Sequence, residues 1–98
     1  MRHDDFIRSI REGSEPALSP SLRALWLDAR GSWDAAHEAV QDDESREAAW
    51  VHAYLHRKEG DNGNARYWYA RAQRTPSTAS LSDEWDQIVA ALLSSSDS

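Results

Sequence analysis

His52 and His56 stand four residues apart. On a helix that interval puts both imidazoles on one face, one turn apart, where they can chelate one metal ion. His37 lies upstream, with Glu38 beside it. If the segments that carry them pack side by side, three imidazoles and a carboxylate make an open metal site or an acid–base group. His37, His52 and His56 are therefore candidate ligands for zinc or another divalent metal. A second reading stands beside this one: His52 and His56 face a neighbouring helix and are buried, hydrogen-bonded core residues. The string lacks the HExxH form in which a glutamate serves as base, and no catalytic residue is assigned.

A second constellation follows on the same segment. Trp50, Tyr54 and Arg57 fall at i, i+4 and i+7 and share a stripe, with Lys58 adjacent. Aromatic residues and arginine are the usual anchors of protein interfaces. Arg57 and Lys58 can hold a carboxylate, such as a peptide C-terminus or an acidic side chain. The alternative is that Trp50 and Tyr54 pack inward and the two charges are solvated. Tyr67-Trp68-Tyr69 is the third cluster. Successive helical residues turn by about 100°, so the three rings cannot all face one core. Tyr69 takes the core position; Tyr67 or Trp68 is then exposed or packs on the final helix, the alternative being a wide buried face between two neighbouring helices, and Tyr67 and Arg71 join the candidate binding residues.

Other chemistries lack their residues. There is no cysteine, hence no disulfide and no thiolate nucleophile or ligand. Asp42-Asp43-Glu44 with Glu47 solvates a turn and favours the helix start that follows, and it lacks the alternating oxygens and glycine of a calcium loop. No phosphate-binding glycine loop and no GxSxG nucleophile turn occurs.

The elements that must position these residues are helices. Alanine, leucine, arginine and glutamate dominate, and no long alternating apolar run suggests a strand. The spacing predicts a first helix over about Asp4–Glu12, broken by Gly13-Ser14-Glu15-Pro16. A second opens at Ser19-Pro20, with serine as cap, and ends at Gly31. The third runs Trp33–Gln41, the fourth about Arg46–Glu59, and the fifth about Asn64–Gln73. A final helix follows a cap at Ser80 or Ser82. Its residues Trp85, Ile88, Val89, Leu92 and Leu93 form one stripe, and a polar tail begins near Ser94.

Ninety-eight residues make one domain, of net charge −6. The acidic balance argues against nucleic-acid binding. No apolar run reaches the about 20 residues of a membrane span, and none follows Met1 as in a secretory signal. These features lead to an expectation of a cytoplasmic protein. The stretch 57–74 is the exception in charge, with five basic side chains against two acidic ones.

Two segments align without gaps at an offset of 29: Ala24 with Ala53, Gly31 with Gly60, Ala36 with Ala65, and Val40 with Tyr69. Each unit reads as helix, glycine turn, helix. Ala53-Tyr54, Gly60, Ala65, Tyr69, Ala72 and Pro76 resemble a tetratricopeptide or Sel-like repeat, well over 46–76 and loosely over 20–45. The offset is shorter than the usual ~34 residues, His56 replaces a large aromatic, and Pro76 comes one place early. The string from His52 to Asp61, with Asn64-Ala65, Tyr67-Trp68-Tyr69 and Trp33 to His37, also resembles a family of small microbial helical proteins, which adds no activity. The resemblance implies an all-α domain of two stacked hairpins, about 20–41 and 46–74. An N-terminal helix precedes them and a C-terminal cap over about 82–94 follows. In such a stack the Trp50–Tyr54 stripe lines a concave face. The leading expectation is a non-catalytic module that binds a protein segment or small acidic ligand through Trp50, Tyr54, Arg57, Lys58, Tyr67 and Arg71. The alternative is a metal-dependent or acid–base enzyme built on the three histidines. Two hairpins fall short of the three usually needed for stability, which makes a homodimer a further expectation.

Overall fold

The computed structural model describes residues 1–96. Within them the protein is all-α, as the composition predicts. Six helices follow one another: α1 (His3–Glu12), α2 (Pro20–Ala29), α3 (Trp33–Gln41), α4 (Arg46–Lys58), α5 (Asn62–Arg71) and α6 (Leu81–Ser96). The polar tail expected from Ser94 is helical as far as Ser96, and Asp97 and Ser98 lie outside the described residues.

The caps follow from the side chains. Ser19 Oγ accepts from the Leu22 amide, with Pro20 next in line, and Ser45 Oγ accepts from the Ala48 amide. Ser80, rather than Ser82, caps α6, accepting from the Asp83 amide at 3.1 Å. Helix α5 begins two residues earlier than predicted. Asp61 Oδ1 accepts from the Asn64 amide, so Asn62-Gly63 forms the first helical turn instead of a preceding loop. Gly31 and Gly60 take left-handed φ of 86° and 89° just beyond the ends of α2 and α4. In both turns the next amide reaches back five residues, Ser32 to the Leu27 carbonyl and Asp61 to the His56 carbonyl. These bonds satisfy carbonyls that a helix end leaves open.

Helix α4 is the centre of the molecule. Every residue from Ala48 to His56 is buried, because α2, α3, α5 and α6 all pack against it. A helix covered on all sides must satisfy every polar side chain it carries. Among the described residues no buried side-chain nitrogen or oxygen lacks a partner. The core around α4 includes Phe6, Leu25, Val40, Leu55, Ile88 and Val89, all fully buried. Each such side chain contributes about 1.5–3 kcal/mol through removal from water. Of the predicted α6 stripe, Ile88, Val89, Leu92 and Leu93 are buried, while Trp85 is half-buried and donates its indole N–H to the Leu25 carbonyl.

This arrangement corrects one expectation. Trp50 and Tyr54 do not stand out as an exposed stripe; they are buried, at 7% and 3% exposure. Helix α6 covers Trp50, whose indole donates to Glu84, and α2 covers Tyr54, whose hydroxyl donates to Asp28 at 2.8 Å. The terminal helix is drawn onto this stripe by Glu84, an almost fully buried carboxylate that also accepts from Tyr69 and Arg57. Arg57 and Lys58 hold carboxylates as their chemistry predicts, but those of the chain itself: Glu84 at 3.0 Å and Asp28 at 2.9 Å. Arg57 also donates to the Ala79 carbonyl, which ties down the loop before α6.

Among the described residues, no helix is long and apolar enough to cross a membrane.

Candidate metal centre

Three helices position the histidines. Trp33 opens α3 and donates its indole N–H to the Leu55 carbonyl of α4 at 2.9 Å. That bond holds the start of α3 against the second half of α4. One turn further, His37 then meets His52, and the two Nε2 atoms stand 2.8 Å apart. One nitrogen of that pair carries the proton and the other accepts it. His56 lies one turn along α4 with its ring stacked on His52, centroids 5.0 Å apart at 12°. It meets the His37 ring edge-on at 5.4 Å. One ring nitrogen from each of the three lies within 4.8 Å of the other two.

Two indoles flank the trio. Trp33 stacks on His37 at 5.1 Å, and Trp68 of α5 stacks on His52 at 3.9 Å, nearly parallel. These flat walls restrict ring rotation. His52 and His56 are buried and His37 is half-buried, so the cluster meets solvent on the α3 side. Burial, together with the neighbouring His37 and His56 rings, pushes the His52 imidazole down to about 4. It is therefore neutral at physiological pH, the state in which an imidazole offers a lone pair.

A carboxylate stands behind the trio. Glu59 Oε1 lies 2.7 Å from His56 Nδ1. A carboxylate on Nδ1 fixes the ring and leaves Nε2 for a ligand, the usual support of metal-bound histidine. Glu38, expected to accompany His37, is exposed and is not among the converging donors. The carboxylate of the cluster is Glu59.

The sequence-derived candidates thus divide. His37, His52 and His56 converge. Trp50, Tyr54, Arg57 and Lys58 take part in the ties around Glu84 and Asp28. Tyr67 and Arg71 lie on the outer side of α5: Tyr67 is 53% exposed, and Arg71 donates to its hydroxyl at 3.1 Å. The Arg71 guanidinium also sits 5.4 Å from the Trp68 ring centre, over the indole that closes the histidine cluster. Trp33, Glu59 and Trp68 are site residues that the sequence reading missed. The first two had a local signal, since Trp33 precedes His37 by one turn and Glu59 follows His56 by three residues. Trp68 had none, because it reaches His52 only through the packing of α5 on α4.

Chemically, three imidazoles without thiolates suit zinc(II), copper(II), nickel(II) or cobalt(II). Three protein ligands leave a fourth position for water or another small ligand. Compared with known proteins, the chain matches no family model, no curated protein and no solved structure.

Proposed function

We propose that this protein binds one divalent transition-metal ion through His37, His52 and His56, with zinc(II) and copper(II) as the best-matched ions and a fourth position open to water. The observation that carries the reading is the convergence of three imidazole nitrogens within 4.8 Å, two of them 2.8 Å apart. Tetrahedral zinc with Zn–N of 2.0–2.1 Å spaces its ligand atoms about 3.3 Å apart. The His37–His52 pair must therefore open by about half an ångström as its shared proton is replaced by the ion. His37, on the solvent side, is the ligand best placed to move. The neutral state of His52 and the Glu59 carboxylate behind His56 both favour ligation. Water on a three-imidazole ion is acidified, so hydrolysis or hydration is the reaction class such a centre can support.

The test is titration of metal-free protein with zinc(II) and cobalt(II), followed by calorimetry and visible absorption. One ion per chain is expected, with the intense visible bands of four-coordinate cobalt. His37→Ala is expected to weaken binding by about 100-fold or more while the helical circular dichroism is retained. Binding that survives this substitution, or that tracks the Asp42–Glu44 run instead, would overturn the proposal.

A further inference from the structure

On the side of α4 away from the histidines, α1, α2, α4 and α6 line an open cleft of about 440 Å³. Tyr54 and Lys58 border it, and they alternate along α4 with His52 and His56. Two residues turn a helix by about 200°, so cavity and histidine cluster occupy opposite faces. The volume lies within the range of small-molecule sites, about 300–1,000 Å³.

Its lining mixes two kinds of side chain. Ile7, Ile10, Leu81 and Trp85 are apolar, and Tyr54, Asp28, Lys58 and Arg11 are polar. The one carboxylate among the lining residues is already satisfied. Asp28 Oδ2 accepts from the Tyr54 hydroxyl and Oδ1 from Lys58 Nζ. Lys58 spends one of its three protons on Asp28, and its side chain is 41% exposed. Arg11 is exposed, and among the described residues it has no ion-pair partner. Two cations thus line a largely apolar cleft in which the one carboxylate among the lining residues is paired. The complementary ligand has an apolar body and a single negative charge.

We propose that this cavity binds a small free aliphatic carboxylic acid, its chain against Ile7, Ile10 and Trp85 and its carboxylate at Lys58 and Arg11. Cations beside low-dielectric walls attract an anion more strongly than they do in open water. The apolar walls take up the chain, and affinity rises about fourfold with each methylene that enters them.

Octanoate is the probe, with octan-1-ol and octylammonium as controls of equal chain length. The reporter is the Trp85 indole N–H, which lines the cavity and is held on the Leu25 carbonyl at 3.1 Å. Octanoate is expected to shift this resonance saturably, more tightly than octanol, with butanoate and hexanoate progressively weaker than octanoate. Arg11→Gln is expected to weaken octanoate about two- to fivefold and leave octanol unchanged. Ile7 is half-buried at the wall, and Ile7→Glu, which places a like charge there, is expected to abolish the shift in a protein whose circular dichroism is unchanged. Equal binding of octanol, preference for octylammonium, no chain-length dependence, or shifts that bypass Trp85 would each overturn the proposal. Metal binding at the histidines is read separately by cobalt absorption, so either proposal can fail alone.

Discussion

His52 is neutral in the folded protein and ionises readily once unfolded, which makes stability depend on pH in a definite direction. Its folded value of about 4 lies below the 6.5 of the free side chain. Between those values the unfolded chain binds the extra proton and the folded chain does not, so stability is fully present above pH 6.5 and falls as pH drops toward 4. At 1.36 kcal/mol per unit, the loss across this window approaches about 3 kcal/mol. Urea denaturation of metal-free protein at stepped pH is expected to show that slope, and His52→Gln is expected to flatten it. Glu59 acts differently. It is 38% exposed, so its replacement by glutamine leaves the metal-free stability within about 0.5 kcal/mol. Because it orients His56, the same change is expected to weaken zinc binding about 10- to 100-fold by calorimetry. At this scale the sequence was legible in part. The interval between His52 and His56 was enough to place two imidazoles on one face. Their meeting with His37 depended on how α3 packs on α4, which residue spacing does not encode. The same limit explains the Trp50–Tyr54 stripe: aromatic residues at helical spacing fit a binding face and a buried seam equally well.

At the scale of elements, the helices were legible because their ends carry local chemistry: serine caps, a proline after Ser19, and glycines where the chain must turn left-handed. One end departs from that pattern. Gln73 takes a φ of 59° after α5, and the amide of Arg74 reaches back to the Tyr69 carbonyl, as happens at the glycine ends. A side chain in this conformation costs about 1–2 kcal/mol, so Gln73→Gly is expected to raise the urea midpoint by about 1 kcal/mol of stability. The spacing of Ile88, Val89, Leu92 and Leu93 announced the amphipathic face of α6, but not where that face would dock. Docking is directed by Glu84, an acidic residue in the first turn that sequence patterning assigns to solvent. It gathers Trp50, Arg57 and Tyr69 from two other helices. Glu84→Ala leaves the Arg57 charge and two aromatic donors without their acceptor, and is expected to cost about 3–5 kcal/mol in denaturant unfolding. Burial and the Glu84 carboxylate hold the Tyr69 phenol well above its ordinary range, so Tyr69 is expected to stay un-ionised in a spectrophotometric titration carried past the ordinary tyrosine range.

For the whole molecule, one helix is asked to serve both faces. Helix α4 carries His52 and His56 toward α3 and α5, and Tyr54 and Lys58 toward α1, α2 and α6. A metal ion on His37, His52 and His56 would join α3 to α4 directly, with α5 held beside them by the Trp68 stack. Since the folded state assembles these donors and the unfolded chain scatters them, metal binding must add to folding stability. At a free ion concentration 100 times the dissociation constant the gain is about 2.7 kcal/mol. For a domain of this length each kcal/mol raises Tm by about 4–8 °C, so zinc is expected to raise Tm by about 10–20 °C in thermal melts followed by circular dichroism. Three controls identify the source of that rise. A chelator returns Tm to the metal-free value. Lowering the pH toward 5 erodes the gain, because protons and metal compete for the same nitrogens. His37→Ala removes the zinc-induced rise while changing the metal-free stability by about 1 kcal/mol, the cost of one lost hydrogen bond at a half-buried ring. A rise that persists in His37→Ala would locate the ion elsewhere and leave the three histidines as a packed aromatic seam between α3, α4 and α5.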